Sequence, residues 1–265
     1  MKTKEIGNSS IFISHGSPEL PLRPSPVRDF LLDLGKHIET PKAILAISAH
    51  WNTAHPIVSS ADRPETIHDF GGFPPELYQL QYPAPGAPQL ADRVSELLAK
   101  AGFKNEISPN RGLDHGAWNP LMLIYPEANI PVTQLSIQPH LDAAYHFRLG
   151  QTLEPLRQEG VLILASGSTT HNLREIGGNA YDANPPIWVS DFTDWLTGKA
   201  IAGDTKALLD YQHLAPYAQR NHPSAEHLLP FFVAMGAGGK EAKALPLHSS
   251  YTYGVLSMAA FLFYA

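Results

Sequence analysis

Residues 43–50 read AILAISAH, seven small or apolar residues closed by a histidine. A run this short and this rich in Ile, Leu and Ala reads as a strand buried in an α/β sheet. Upstream, Ser25 and Pro26 suit the cap and first turn of a helix whose Val27, Phe30, Leu31, Leu34 and Ile38 share one face. The apolar run IFIS at 11–14 supplies a strand before that helix, giving a β-α-β unit whose two strands are expected to be parallel.

The alternation continues downstream. Helices are expected at 88–101, stopped by Gly102, at 119–125, opened by Asn119 and Pro120, and at 141–159, ended by Gly160. Strands are expected at 131–137 and 161–165. Further helices fit 186–202 and 205–214, and Ser224 suits the cap of one running through His227 to Met235. The tail 253–265 reads as a buried strand or short helix. A Pro- and Gly-rich stretch at 55–88, containing HDFGGFPPELYQLQYPAPGAP, is expected to cross the sheet edge as a pocket-building loop. No repeat, low-complexity tract or linker interrupts the chain. The expectation is one α/β domain over residues 1–265, with a central, mainly parallel or mixed sheet flanked by helices.

Three apolar runs finish at histidines: IFIS before His15, AILAISA before His50 and VLILASGSTT before His171. Ligands of open α/β sheets sit beyond the carboxyl ends of strands, so these endings point to a metal or catalytic pocket. In SHGSP, Gly16 permits a tight turn after His15 and Pro18 stops the strand. His50 is read as ending the neighbouring strand, with Trp51 able to wall the same cleft. His171 lies in ASGSTTHNL, which suits an acid/base group; a phosphate cradle lacks its glycine fingerprint and lysine.

His115, in GLDHGAW, is flanked by Gly112 and Gly116, which let backbone approach a ligand; the plainer reading bonds it to Asp114. His227 falls in the first turn of its helix beside Glu226 and near His222, and about 100° separates 226 from 227, so both cannot face one ion equally. Each histidine alone is more readily a turn or core residue; their convergence carries the reading. His37, His140, His146 and His213 read as surface or structural. His68 and Asp69 start a lid or an ordinary Asx turn.

The 265-residue chain has 19 Lys+Arg against 25 Asp+Glu, a net charge of −6 and no basic run, which argues against a nucleic-acid partner. It has no cysteine and 13 histidines, so disulfides, thiolate zinc and iron–sulfur sites are excluded and any metal is held by nitrogen and oxygen. The N-terminal MKTKEIGNSSIFISHG lacks the apolar core of a signal peptide, and no apolar stretch reaches membrane-spanning length, so a cytoplasmic protein with no membrane partner is expected. Neither SHGSP nor ASGSTT is a GxSxG nucleophile elbow.

Taken in order, SHGSP, SAHW, HDFGGFPPELYQLQYPAPG, GLDHGAW, STTHNL and AEHLLP resemble the class III extradiol dioxygenases, and among them the 4,5-DOPA dioxygenase extradiol subgroup, over almost the whole chain. The resemblance implies non-haem Fe(II) and O2-dependent cleavage of a catechol, DOPA-like or related, to a muconic semialdehyde-type product. It implies His15, His50 and His227 as metal ligands and His171 as the catalytic histidine and candidate fourth ligand. His115 is implied as a pocket histidine that bonds substrate or oxygen. Phe70, Phe73, Tyr78 and Tyr82 are candidate walls for the ring.

One departure stands out. The broader class uses two histidines and a carboxylate, whereas here the third position reads as His227 with Glu226 alongside. Three imidazoles also describe catalytic Zn(II). A zinc hydrolase working without O2, and a non-catalytic metal-binding or interaction protein, remain the alternatives. The partners expected are a small catechol and O2.

Overall fold

The computed structural model describes residues 10–264; the part of the N-terminal reading that rests on residues 1–9 lies outside the described residues. Chain order runs β1 (Ser10–Ser14), α1 (Pro26–His37), β2 (Ala43–Asn52), β3 (Ile57–Ser59), α2 (Pro88–Lys100), β4 (Glu106–Ser108), α3 (His115–Ile124), β5 (Val132–Ile137), α4 (Ala143–Leu153), α5 (Pro155–Gln158) and β6 (Val161–Gly167). It continues through α6 (Ile187–Ala202), α7 (Thr205–Leu209), α8 (Tyr211–Leu214), α9 (Ala218–Asn221) and α10 (Leu229–Ala237). It ends with β7 (Lys243–His248), the small hairpin β8 (Tyr251–Thr252) and β9 (Leu256–Ser257), and β10 (Ala260–Tyr264).

Eight strands form one mixed sheet in the order β4-β3-β5-β2-β6-β1-β10-β7. Its middle, β5-β2-β6-β1, is parallel. The chain's last strand, β10, pairs antiparallel with β1 and then with β7. Alternation explains why the central strands read as unbroken apolar runs. Phe12, Leu45, Ile47, Ile163 and Ala165 join one core with α2, α4 and α10. Their neighbours Ile11, Ile13, Ile44, Ala46, Leu162 and Leu164 join the other with α1 and α3. Each such Ile, Leu or Phe, fully buried, contributes about 1.5–3 kcal/mol. α1 begins as expected, the Ser25 hydroxyl accepting from the Arg28 N–H at 3.3 Å.

Several expectations shift. β1 and β2 are parallel but not neighbours, because β6, more than a hundred residues later, inserts between them. The region 141–159 divides at Pro155, which cannot donate to a helix interior, and 205–214 divides into α7 and α8. β3 occupies the start of the 55–88 excursion, leaving the loop proper after Ser59. α10 starts at Leu229, so His227 precedes the helix. Pro230 sits in the first turn, where its missing N–H costs nothing; a start near Ser224 would have put it in the interior. α3 starts at His115, four residues before Asn119, and carries Pro120 inside it. Within the tail, β9 and β10 are strand, and Ala265 lies outside the described residues. No helix among the described residues is long and apolar enough to cross a membrane.

Candidate metal centre

Register brings His15 and His50 together. Ile13 of β1 and Ser48 of β2 both pair with Ser166 of β6. Two residues further along, His15 and His50 share one face and flank the point where β6 ends at Gly167. The two Nε2 atoms meet at 3.0 Å across that gap. His227 enters from the turn before α10, its carbonyl accepting from the Ser168 N–H at 2.8 Å. Its ring lies 5.5 Å from that of His15 and 5.0 Å from that of His50. Gly167 makes this approach possible, since a Cβ there would lie 2.1 Å from the His227 carbonyl oxygen.

The outer nitrogen of each ring faces an acceptor, and those of His15 and His227 are hydrogen-bonded to it. Ser166 donates its hydroxyl proton to the Gly116 carbonyl, so its oxygen accepts from His15 Nδ1 at 2.9 Å. Gly116 is available because Pro120, four residues on in α3, has no N–H to offer it. His227 Nδ1 meets Glu226 Oε1 at 3.1 Å, and His50 Nδ1 faces Asp69 Oδ2 at 3.5 Å. Carboxylates only accept, so all three rings direct an Nε2 lone pair at one another.

That arrangement fits a cation. Among the described residues His227 Nε2 is buried without a hydrogen-bond partner, and lone pairs of His15 and His50 at 3.0 Å repel unless one ring abandons its tautomer. Burial, then the neighbouring imidazoles, holds His15 and His227 well below the usual histidine range; burial, then His115, brings His50 down to about 3. All three are therefore neutral at pH 7, the form that ligates. Their candidate ligand atoms lie within 4.8 Å of one another. Three neutral imidazole nitrogens suit iron or zinc.

A cavity of about 590 Å³ opens over the cluster, with Phe70, Phe73 and Leu256 among its walls and His115 and His171 facing it. The His171 ring stacks on His227, centroids 3.4 Å apart and 8° from parallel. Burial, then His222, lowers it to about 4, so it is a neutral base at pH 7. Its ring has no hydrogen-bond partner among the described residues, while its backbone N–H is anchored to the Asn221 carbonyl at 3.0 Å. β6 stops four residues short of it, so His171 stands on the following turn.

His115 is the first residue of α3, not a loop histidine, and Asp114 is not its partner. Asp114 instead takes Ser48 Oγ at 2.6 Å, Arg111 at 3.0 Å and Gln134. His115 donates its backbone N–H and Nδ1–H to Asp69 Oδ1, both at 2.9 Å. Burial raises the Asp69 carboxyl, but the hydrogen bonds from His115 outweigh it and bring it to about 2. Gly116 lets α3 press this close: a Cβ would lie 2.3 Å from Ser48 Oγ and 3.0 Å from the His50 ring.

Other candidates fall outside. Trp51, next along an alternating strand, turns to Arg111, 5.1 Å from its ring. Tyr82 is core, its hydroxyl donating to the Tyr125 carbonyl at 3.1 Å; Tyr78 packs behind Phe70 at 5.2 Å. His222 Nε2 is spent on the Thr169 carbonyl at 2.8 Å. The sequence reading passes over Ser166, uses Pro120 only as a helix opener, and in its plainer form bonds His115 to Asp114 where the structure has Asp69. Only the lone acid between an aromatic and a histidine in HDF was a signal.

The family described as the catalytic LigB subunit of aromatic ring-opening dioxygenase matches residues 11–263. A Beta vulgaris protein named 4,5-DOPA dioxygenase extradiol is 46% identical, covering 99% of each chain. An Escherichia coli K12 protein of the same name is 37% identical over 94% of this chain and 92% of its own. The crystal structure of an uncharacterized Escherichia coli K12 protein superposes with a TM-score of 0.77 at 31% identity, covering 96% of this chain and 98% of that one.

Proposed function

This chain belongs to the LigB family of aromatic ring-opening dioxygenases and is an extradiol ring-cleaving enzyme; we propose that it inserts both atoms of O2 into a DOPA-like or related catechol at a ferrous centre held by His15, His50 and His227. The observation that carries the proposal is the set of three Nε2 lone pairs, each backed by an acceptor at Nδ1, at the floor of an aromatic-walled cavity. Fe(II) held by these three histidines would supply a site common to catechol and O2 and a redox path between them.

The chain's own groups do the rest. His171, neutral at pH 7, takes a proton from a catechol hydroxyl and returns one as the ring opens, so protons balance over the cycle. His115, oriented by Asp69, hydrogen-bonds the substrate or oxygen through Nε2. Phe70 and Phe73 hold the ring and exclude water from the reacting face. The product is a muconic semialdehyde-type chain. Residues 1–265 work as one catalytic domain, in the cytoplasm, on small molecules.

The test is anaerobic loading with Fe(II) followed by oxygen-electrode assays over a catechol panel. Stoichiometric O2 uptake with a yellow product is expected. No uptake with any catechol would sink the proposal; cleavage of an ester or amide without O2 would mark a zinc hydrolase, and metal bound without turnover a binding protein.

A further inference from the structure

On that reading of the site, we infer that Asp69 is a positioning residue: one carboxylate fixes the tautomers of His50, a metal ligand, and His115, a pocket histidine, and joins the aromatic wall to the metal centre. Asp69 belongs to no strand or helix; it sits on the excursion, between His68 and Phe70. Its Oδ1 takes both N–H groups of His115 at 2.9 Å, and its Oδ2 faces His50 Nδ1 at 3.5 Å. The two rings are only 4.0 Å apart, so one small acid reaches both.

A carboxylate has no proton to give, so His115 must present Nδ1–H to it, and neutral His50, facing it at 3.5 Å, is favoured as the same tautomer with Nε2 bare toward the cavity. The next residue, Phe70, meets the His115 ring edge-on at 5.6 Å and Phe73 at 5.4 Å. The loop that walls the substrate thus also sets which nitrogen of each histidine is available. An Asx turn accounts for none of these bonds, because they run 46 residues away to His115 rather than to local backbone.

Asp69→Asn isolates the effect. Its carbonyl oxygen still accepts from His115, but its amide N–H2 faces His50 Nδ1–H, donor against donor. Zn(II) affinity of the apo protein, read by chelator competition, is expected to fall about 10–100-fold, with the unfolding midpoint little changed. After Fe(II) loading at saturating metal, kcat is expected to fall more than KM rises. Asp69→Asn binding Zn(II) as tightly as the parent overturns this inference alone; a parent that binds no Zn(II) overturns the metal reading and this inference with it. Should the variant not fold, nitrogen-15 NMR of the Zn(II)-loaded parent decides: both rings protonated at Nδ1 supports the assignment, and His115 protonated at Nε2 alone overturns it.

Discussion

Two parts of the molecule bury imidazoles, and they treat them differently. His146 in α4 is fully enclosed, yet both ring nitrogens are satisfied: Nδ1 donates to the Asp142 carbonyl at 2.8 Å and Nε2 accepts from the Gln138 N–H at 3.2 Å. At the ends of the central strands, His15 and His227 are equally enclosed, but each has only its Nδ1 satisfied by an outer partner. A buried ring with two partners is a strut in the fold. A group of buried rings with bare lone pairs aimed at one another stores an unmet demand that a cation answers.

The largest effect expected from breaking that contrast is on metal binding. His227→Ala, or His15→Ala, should weaken Zn(II) or Fe(II) by more than the roughly 100-fold that loss of an orienting partner costs, whereas His146→Ala should leave affinity unchanged. Titration of the metal against a competing chelator reads this, and equal losses in both would erase the distinction. Next comes His171→Ala, expected to lower turnover about 10²–10⁴-fold with close to one metal still bound per chain. Loss of the metal along with turnover would make His171 chiefly a ligand.

The strut predicts a pH effect on stability. Burial lowers His146 to about 4 in the fold, against 6.5 for a free histidine. The unfolded chain therefore takes up this proton first, so the contribution is complete above about 6.5 and is lost as pH falls from there towards 4. It amounts to about 3 kcal/mol at most. Denaturant midpoints at pH 7.5 and pH 5 should converge between the parent and His146→Gln; parallel loss in both would count against the assignment. The smallest effect is at the wall: Phe73→Ala should raise KM about fivefold, for ~1 kcal/mol of ring contact, with kcat nearly constant.

The comparison also separates what was legible in the chain from what was not. The apolar runs leading to His15 and His50 are legible because burial on both faces leaves them uninterrupted, although β2 continues to Asn52, so His50 lies inside the strand rather than ending it. The five histidines gathered at the cavity, His15, His50, His115, His171 and His227, are each legible from local context, whereas Leu256 in its wall is not. The insertion of β6 between β1 and β2 could not be read, since strand order is decided by pairing across more than a hundred residues. His227 was expected in a helix because Ser224 resembles a cap, but Pro230 overrode it. His146 and His15 look alike as letters; only the partners of their nitrogens, set by tertiary contacts, tell a strut from a site. Asp69 was hidden for the same reason, its work being done 46 residues away.

The central claim is that the bare imidazoles hold an ion that delivers O2 to a catechol. The most direct measurement is mass spectrometry of the product formed by Fe(II)-loaded protein under 18O2, trapped by immediate borohydride reduction to stop aldehyde exchange with water. Two heavy oxygens in one ring-opened product are the predicted result. An unlabelled product, or a catechol merely oxidised with its ring intact, would contradict it.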